Sequence, residues 1–132
     1  MRNENLQDLN DMFTLAVKNP QFSSSDKVIG EYAEYMFAEH IGGVVKPKNY
    51  PGVDVVLEKR GKQVNYQVKY RACDTGVEIS SKTIDNADYL VVYLLEGDKL
   101  SIDSITAVEE IRHLPRKENG KMWIAKKFLN KV

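Results

Sequence analysis

The residues able to do chemistry cluster in "PGVDVVLEKRGKQVNYQVKYR", residues 51–71, where Asp54 stands before a polar centre and Gln67 and Lys69, two apart, stand after it. A carboxylate, an amide oxygen and an ammonium supply two oxygen ligands for a hard cation and one positive group beside them. Brought to one place, these side chains would form a metal site. Lys46, Lys48, Lys59, Arg60, Lys62 and Arg71 lie in or beside the same stretch and would offer phosphates counter-charge.

The local pattern brings them together. Lys59-Arg60-Gly61-Lys62 is a polar turn containing glycine, and its arms are rich in valine and tyrosine, as strands prefer. With Arg60 and Gly61 as a two-residue loop, Lys59 faces Lys62, and counting outward sets Asp54 across from Gln67, with Cβ atoms about 5 Å apart. Strand alternation places Gln67, Lys69 and Arg71 on one face and Tyr66, Val68 and Tyr70 on the other.

Other elements must hold that hairpin. Leu6, Leu9, Phe13 and Val17 recur at helical spacing and predict an amphipathic helix from Glu4 to Lys18, ended before Pro20. A second helix is expected over Lys27–Ile41, with Ser25 or Asp26 as N-cap and Gly42-Gly43 as its stop. Ile29, Ala33, Met36, Phe37 and Ile41 form its apolar stripe, and Glu31 and Glu34 share an adjoining one from which a glutamate would lean over the sheet. "VEIS" reads as a short strand or connection, and the continuous apolar run "DYLVVYLL" as a central strand covered on both faces. "LSIDSI" is another strand, "TAVEEIRHL" a short helix with a capping box from Thr106 to Glu109, and "MWIAKKFLNKV" a strand followed by a terminal turn. The order predicts one α/β domain over residues 1–132, with a mixed central sheet flanked by helices.

Composition is that of an ordinary globular protein, 42% hydrophobic and 29% charged, with a formal net charge of zero. The charge is unevenly spread: residues 46–71 carry seven basic and two acidic groups and residues 111–132 seven and one, while residues 1–45 carry three and seven and residues 72–110 two and nine. No apolar run approaches a membrane span, and the single cysteine, Cys73, excludes an internal disulfide, so a reducing, cytoplasmic setting is the default expectation.

In their order and spacing, "GEYAE", "GVDVV", "YQVKYR" and "ADYLVVYL" resemble the PD-(D/E)xK nuclease superfamily, with its restriction-endonuclease-like fold. The resemblance covers about residues 27–105 and is nearest to small Holliday-junction-resolvase-like and Mrr-like members. It implies a metal-dependent endonuclease acting on DNA, branched or foreign, that works as a homodimer. It assigns Glu31, Asp54, Gln67 and Lys69 as the catalytic set. Glu31, Asp54, Gln67 and the carbonyl of Val68 would hold Mg²⁺ or Mn²⁺, and Lys69 would position water or offset developing charge. Lys46, Lys48 and Arg71 are candidate nucleic-acid contacts. Two departures stand out: Gly52-Val53 occupy the place of the name-giving proline, and Gln67 replaces the usual acid, which removes one negative charge from the site. A non-catalytic nucleic-acid- or protein-binding module of the same fold, and a nuclease toxin domain acting on DNA or tRNA, are the alternatives.

The remaining reactive types carry less. His40 and His113 lack partners at zinc-ligand spacing and read as helix-end or surface residues. Cys73 reads as a structural thiol. Trp123, with Lys121, Lys126 and Lys127, has the makings of a stacking platform, but a core tryptophan on a terminal strand is the simpler expectation.

Overall fold

The computed structural model describes residues 2–47 and 50–132, with side chains from Gln7 onward. Lys48 therefore lies outside the described residues, and Leu6 outside the described side chains. Twelve short elements run α1 (Arg2–Lys18), α2 (Ser24–Ile41), β1 (Val44–Val45), β2 (Val55–Lys59), β3 (Lys62–Arg71), β4 (Val77–Ser80), a 3₁₀ turn (Ile84–Asn86), β5 (Tyr89–Glu96), β6 (Lys99–Ala107), α3 (Val108–Ile111), β7 (Lys121–Ile124) and a second 3₁₀ turn (Lys126–Phe128).

The main sheet has the order β1-β2-β3-β5-β6 and is mixed: β3 and β5 are parallel, and the other neighbours antiparallel. The β2–β3 hairpin turns at Arg60 and Gly61, both at positive φ (54° and 76°), the geometry that matches strand twist in a two-residue turn. Lys59 faces Lys62 and Val55 faces Tyr66, the register the turn dictates.

β5 is the centre. Leu90, Val91 and Val92 are fully buried, and alternation sends them to two separate cores. One core joins Val91 and Tyr93 to Phe13, Ala16, Ile29, Ala33 and Phe37, so α1 and α2 cover that face. Phe13 stacks on Tyr32 at 4.6 Å, and the Tyr32 hydroxyl donates to Asn10, which locks the two helices together. The other core joins Leu90 and Val92 to Val77, Ile79, Ile84, Met122 and Ile124, which come largely from β4 and β7. Those two strands pair as a separate antiparallel ribbon that covers the second face. The chain thus forms three layers: helices, a mixed five-stranded sheet, and a small ribbon with α3 beside it.

Several local expectations are corrected. α2 begins at Ser24, about a turn earlier than the spacing predicts, and neither Ser25 nor Asp26 caps it. Ser25 donates instead to the Asn19 carbonyl at 2.8 Å, and Asp26 accepts from the Tyr70 hydroxyl. α3 is only Val108–Ile111, and Thr106 belongs to β6. Its buried hydroxyl accepts the Asn130 amide at 2.9 Å, so it has no part in a capping box. The terminal stretch is a strand and a turn as expected, β7 and the second 3₁₀ turn, but the chain then goes on beside β6 rather than fraying, with Ile105 donating to Asn130, Val132 donating to Asp103 and Ser104 bridging to Lys131. Among the described residues no helix is long and apolar enough to cross a membrane.

Candidate functional site

β2 begins pairing at Val55, whereas β3 runs on to Arg71. Past Gln67, β3 therefore has β5 on one side and an open edge on the other. Asp54, the residue just before β2, folds into that gap. Its amide donates to the Tyr66 carbonyl at 2.8 Å, and its Oδ2 accepts the Val68 amide at 2.8 Å, so the carboxylate stands in for the strand that has ended. N–H and C=O of one strand residue point to the same edge. The Val68 carbonyl consequently belongs to the same open edge as its amide.

A cleft of about 700 Å³ opens at this edge. Three groups of residues line it. Glu31, Glu34 and Gly30 come from α2, Asp54 and the Tyr50-Pro51-Gly52 loop come from before β2, and Gln67, Val68, Lys69, Tyr70 and Arg71 come from β3. Gln67 and Lys69 sit in register with Leu90 and Val92 and so emerge on the ribbon face of the sheet, whereas Val68 and Tyr70 align with Val91 and Tyr93 on the helix face. The cleft is lined by β3 residues of both parities together with the glutamates of α2.

Gln67 is buried (7% exposed), whereas Glu31, Glu34, Asp54 and Lys69 are half-buried. Glu31 and Glu34 both line the cleft, so both remain helix donors to it. The donor set of carboxylate, amide oxygen and backbone carbonyl is all oxygen, the chemistry suited to Mg²⁺ or Mn²⁺ and unsuited to a soft metal. No three His, Cys, Asp or Glu side chains gather as a metal cluster among the described residues, so an amide and a main-chain oxygen would have to complete such a site.

Arg71 is differently placed from the expected phosphate contact. It lines the cleft but is buried (7% exposed), and its guanidinium binds Asp103 at 2.5 Å, Asp74 at 3.3 Å and the Thr75 carbonyl. Asp103 reaches it because β6 is irregular there: Val92 pairs with Ser104 and Tyr93 with Ile102, leaving Asp103 as the extra residue of a bulge. Lys126 and Lys131 complete the cluster, at 2.5 Å from Asp74 and 2.7 Å from Asp103. The Lys126 contact, chiefly by its hydrogen bond, holds Asp74 below the usual carboxylate range, and the Asp103 contact raises Lys131. Lys46 lies outside the cleft lining, with its ammonium 4.5 Å above the Tyr50 ring.

Two cleft residues are assigned no role by the sequence. Tyr70 donates its hydroxyl to Asp26 and so ties the start of α2 to β3. Gly52, at φ +75°, packs so closely that a Cβ would lie 2.5 Å from the Thr83 carbonyl, and Asn86 donates to the Pro51 carbonyl at 3.0 Å. The loop bearing Tyr50 and leading to Asp54 is therefore pinned to the turn before β5. His40 and His113 are exposed, as expected. Cys73, which reads as a structural thiol, is exposed and free. Trp123 is 46% exposed rather than core, because its neighbours Met122 and Ile124 take the inward positions of β7.

Neither a protein-family model nor a curated protein matches the chain.

Proposed function

We propose that the chain is a metal-dependent endonuclease with a restriction-endonuclease-like fold that hydrolyses phosphodiester bonds in DNA at the open edge of β3. One observation carries this reading: Asp54, Gln67 and Lys69 line a single cleft together with Glu31 and Glu34. Hydrolysis needs an attacking water held in line, charge relief on the phosphoryl oxygens and help for the departing alkoxide. A bound Mg²⁺ or Mn²⁺, held by Asp54, Gln67, the Val68 carbonyl and Glu31, would supply Lewis acidity to the phosphate and lower the pKa of its water.

The rest falls to the chain. The Val68 amide fixes the Asp54 carboxylate so that it needs little reorganisation on binding a ligand. Gln67, buried and neutral, supplies an oxygen without adding to the repulsion between the site and a phosphate. Lys69 is the ammonium that β3 brings to the cleft. It orients the nucleophilic water by hydrogen bonding and offsets the negative charge that grows on the phosphoryl oxygens.

The test is incubation of the chain with supercoiled plasmid, a four-way junction and tRNA, each with Mg²⁺, with Mn²⁺ or with chelator. Metal-dependent nicking that disappears in Lys69→Ala supports the reading, and the preferred substrate distinguishes a DNA enzyme from a tRNA-directed toxin. Equal nicking by Lys69→Ala, or none by the wild type on any substrate, refutes it. Tight metal-independent binding without cleavage would instead support the non-catalytic module, which the neutral Gln67 favours.

A further inference from the structure

The β4–β7 ribbon shields the second core with one face and leaves the other in solvent. On β7, Met122 and Ile124 are fully buried, so Lys121 and Trp123 must project outward, about 7 Å apart along the strand. Trp123 is the only tryptophan of the chain, and its ring lies against Gly76, where a Cβ would come within 2.8 Å of it. The absence of a side chain at Gly76 lets the indole rest on backbone while 46% of the residue stays exposed.

The surroundings are basic. Lys82 runs beside Gly120, the neighbour of Lys121, and neither Lys82 nor Lys121 has a carboxylate partner among the described residues. The one acid directly opposite Trp123, Glu78, is neutralised by Lys117 at 3.3 Å. Residues 111–132 as a whole hold seven basic groups and one acidic group. An exposed aromatic plane flanked by uncompensated ammonium groups complements bases and phosphates together.

The position also matters. Gly76 follows the cleft-lining Ala72 by four residues, a reach of at most about 14 Å. Between them, Asp74 binds Lys126, three residues beyond Trp123, so the cleft end of β3 and the ribbon are tied together.

We propose that the solvent face of the ribbon is a second contact surface for an unpaired nucleic-acid strand, with Trp123 as stacking platform and Lys82 and Lys121 as phosphate contacts. It rests on the nuclease reading only for the path of that strand, which would lead from the cleft past Gly76 onto the indole.

The lone tryptophan makes the test direct. Single-stranded oligothymidylate is titrated into the full chain in chelator, where cleavage is suppressed, and indole emission is followed. Stacking is expected to quench the emission. Trp123→Ala should weaken binding, measured by anisotropy of a labelled oligomer, about tenfold, and Trp123→Phe should lose less. Lys121→Glu should weaken binding and reduce its salt dependence. Unchanged emission while the oligomer binds, wild-type affinity in Trp123→Ala, or no binding of the single strand overturns the proposal. So does emission that shifts with protein concentration alone, because a second copy would then occupy the indole. Quenching without metal-dependent nicking would sink the nuclease reading and leave this surface standing, and nicking without quenching would do the reverse.

Discussion

The Val68 amide donates to Oδ2 of Asp54 across 2.8 Å at the point where β2 has stopped pairing with β3. The carboxylate therefore has a structural duty and a proposed chemical one, and two substitutions separate them. Asp54→Asn keeps an acceptor for Val68 and removes the charge, so it should unfold in urea within about 1 kcal/mol of wild type while metal-dependent cleavage falls on the order of 10²-fold or more. Asp54→Ala loses both and should be less stable by about 1.5–3 kcal/mol, the range for hydrogen bonds to charged groups. Equal stability of the two variants would deny the structural duty.

Arg71 gives the opposite balance. Its guanidinium is buried against Asp103, whose side chain is only 11% exposed. Arg71→Met should cost about 3 kcal/mol or more in chemical denaturation, because it leaves a nearly buried carboxylate with Lys131 as its remaining ion-pair partner among the described residues. Nucleic-acid affinity, measured below the melting range of the variant, should stay within about twofold of wild type. A large affinity loss with little change in stability would return Arg71 to the role of phosphate contact.

Gly52 holds the rim of the cleft. A Cβ there would meet the Thr83 carbonyl at 2.5 Å on a backbone at φ +75°. Gly52→Ala should destabilise by about 1–3 kcal/mol and lower cleavage more than its stability loss explains, because the loop that leads into Asp54 must move. Asn86→Ala, which removes one hydrogen bond to Pro51 at 3.0 Å, should cost about 1 kcal/mol and leave the rim in place. Thermal melts beside plasmid-nicking rates at a temperature where both variants are folded make the comparison.

Alkaline pH probes the tie between α2 and β3. Burial first, then the hydrogen bond and charge of Asp26, push the Tyr70 hydroxyl well above its ordinary 10.0. Burial pushes Tyr93 up to about 12. Unfolded tyrosines ionise near 10, so the folded chain binds more protons above that pH. The stability these groups contribute is present below pH 10 and is lost as pH rises through the folded values. Urea midpoints should fall between pH 10 and 11, and Tyr70→Phe should fall less steeply. A slope identical in Tyr70→Phe would show that Tyr70 ionises alike in both states.

What could be read from the residues was what depends on near neighbours. The Arg60-Gly61 turn fixes the hairpin register by itself as far as Val55 opposite Tyr66; the pairing does not extend to Asp54, which bonds to Tyr66 and Val68. A strand as uniformly apolar as "LVV" has to be covered on both faces, and it is. What escaped depends on distant pairings. Nothing near Arg71 announces Asp103, 32 residues on and presented by a bulge. Nothing near Trp123 announces that it pairs across from Glu78 on the outward face of a ribbon, where the sequence reads as a core tryptophan on a terminal strand. Thr106 is a good capping residue whose hydroxyl is taken by Asn130, a partner 24 residues on that only the folded chain brings near.

The segment Asn130–Val132 lies along β6, the outer strand of the main sheet, and occupies amide and carbonyl groups there. It acts as a guard rail. Removing those three residues would turn β6 into a bare template able to recruit the same strand of another molecule, so the shortened chain should self-associate and scatter light on storage at concentrations where the full chain stays dispersed.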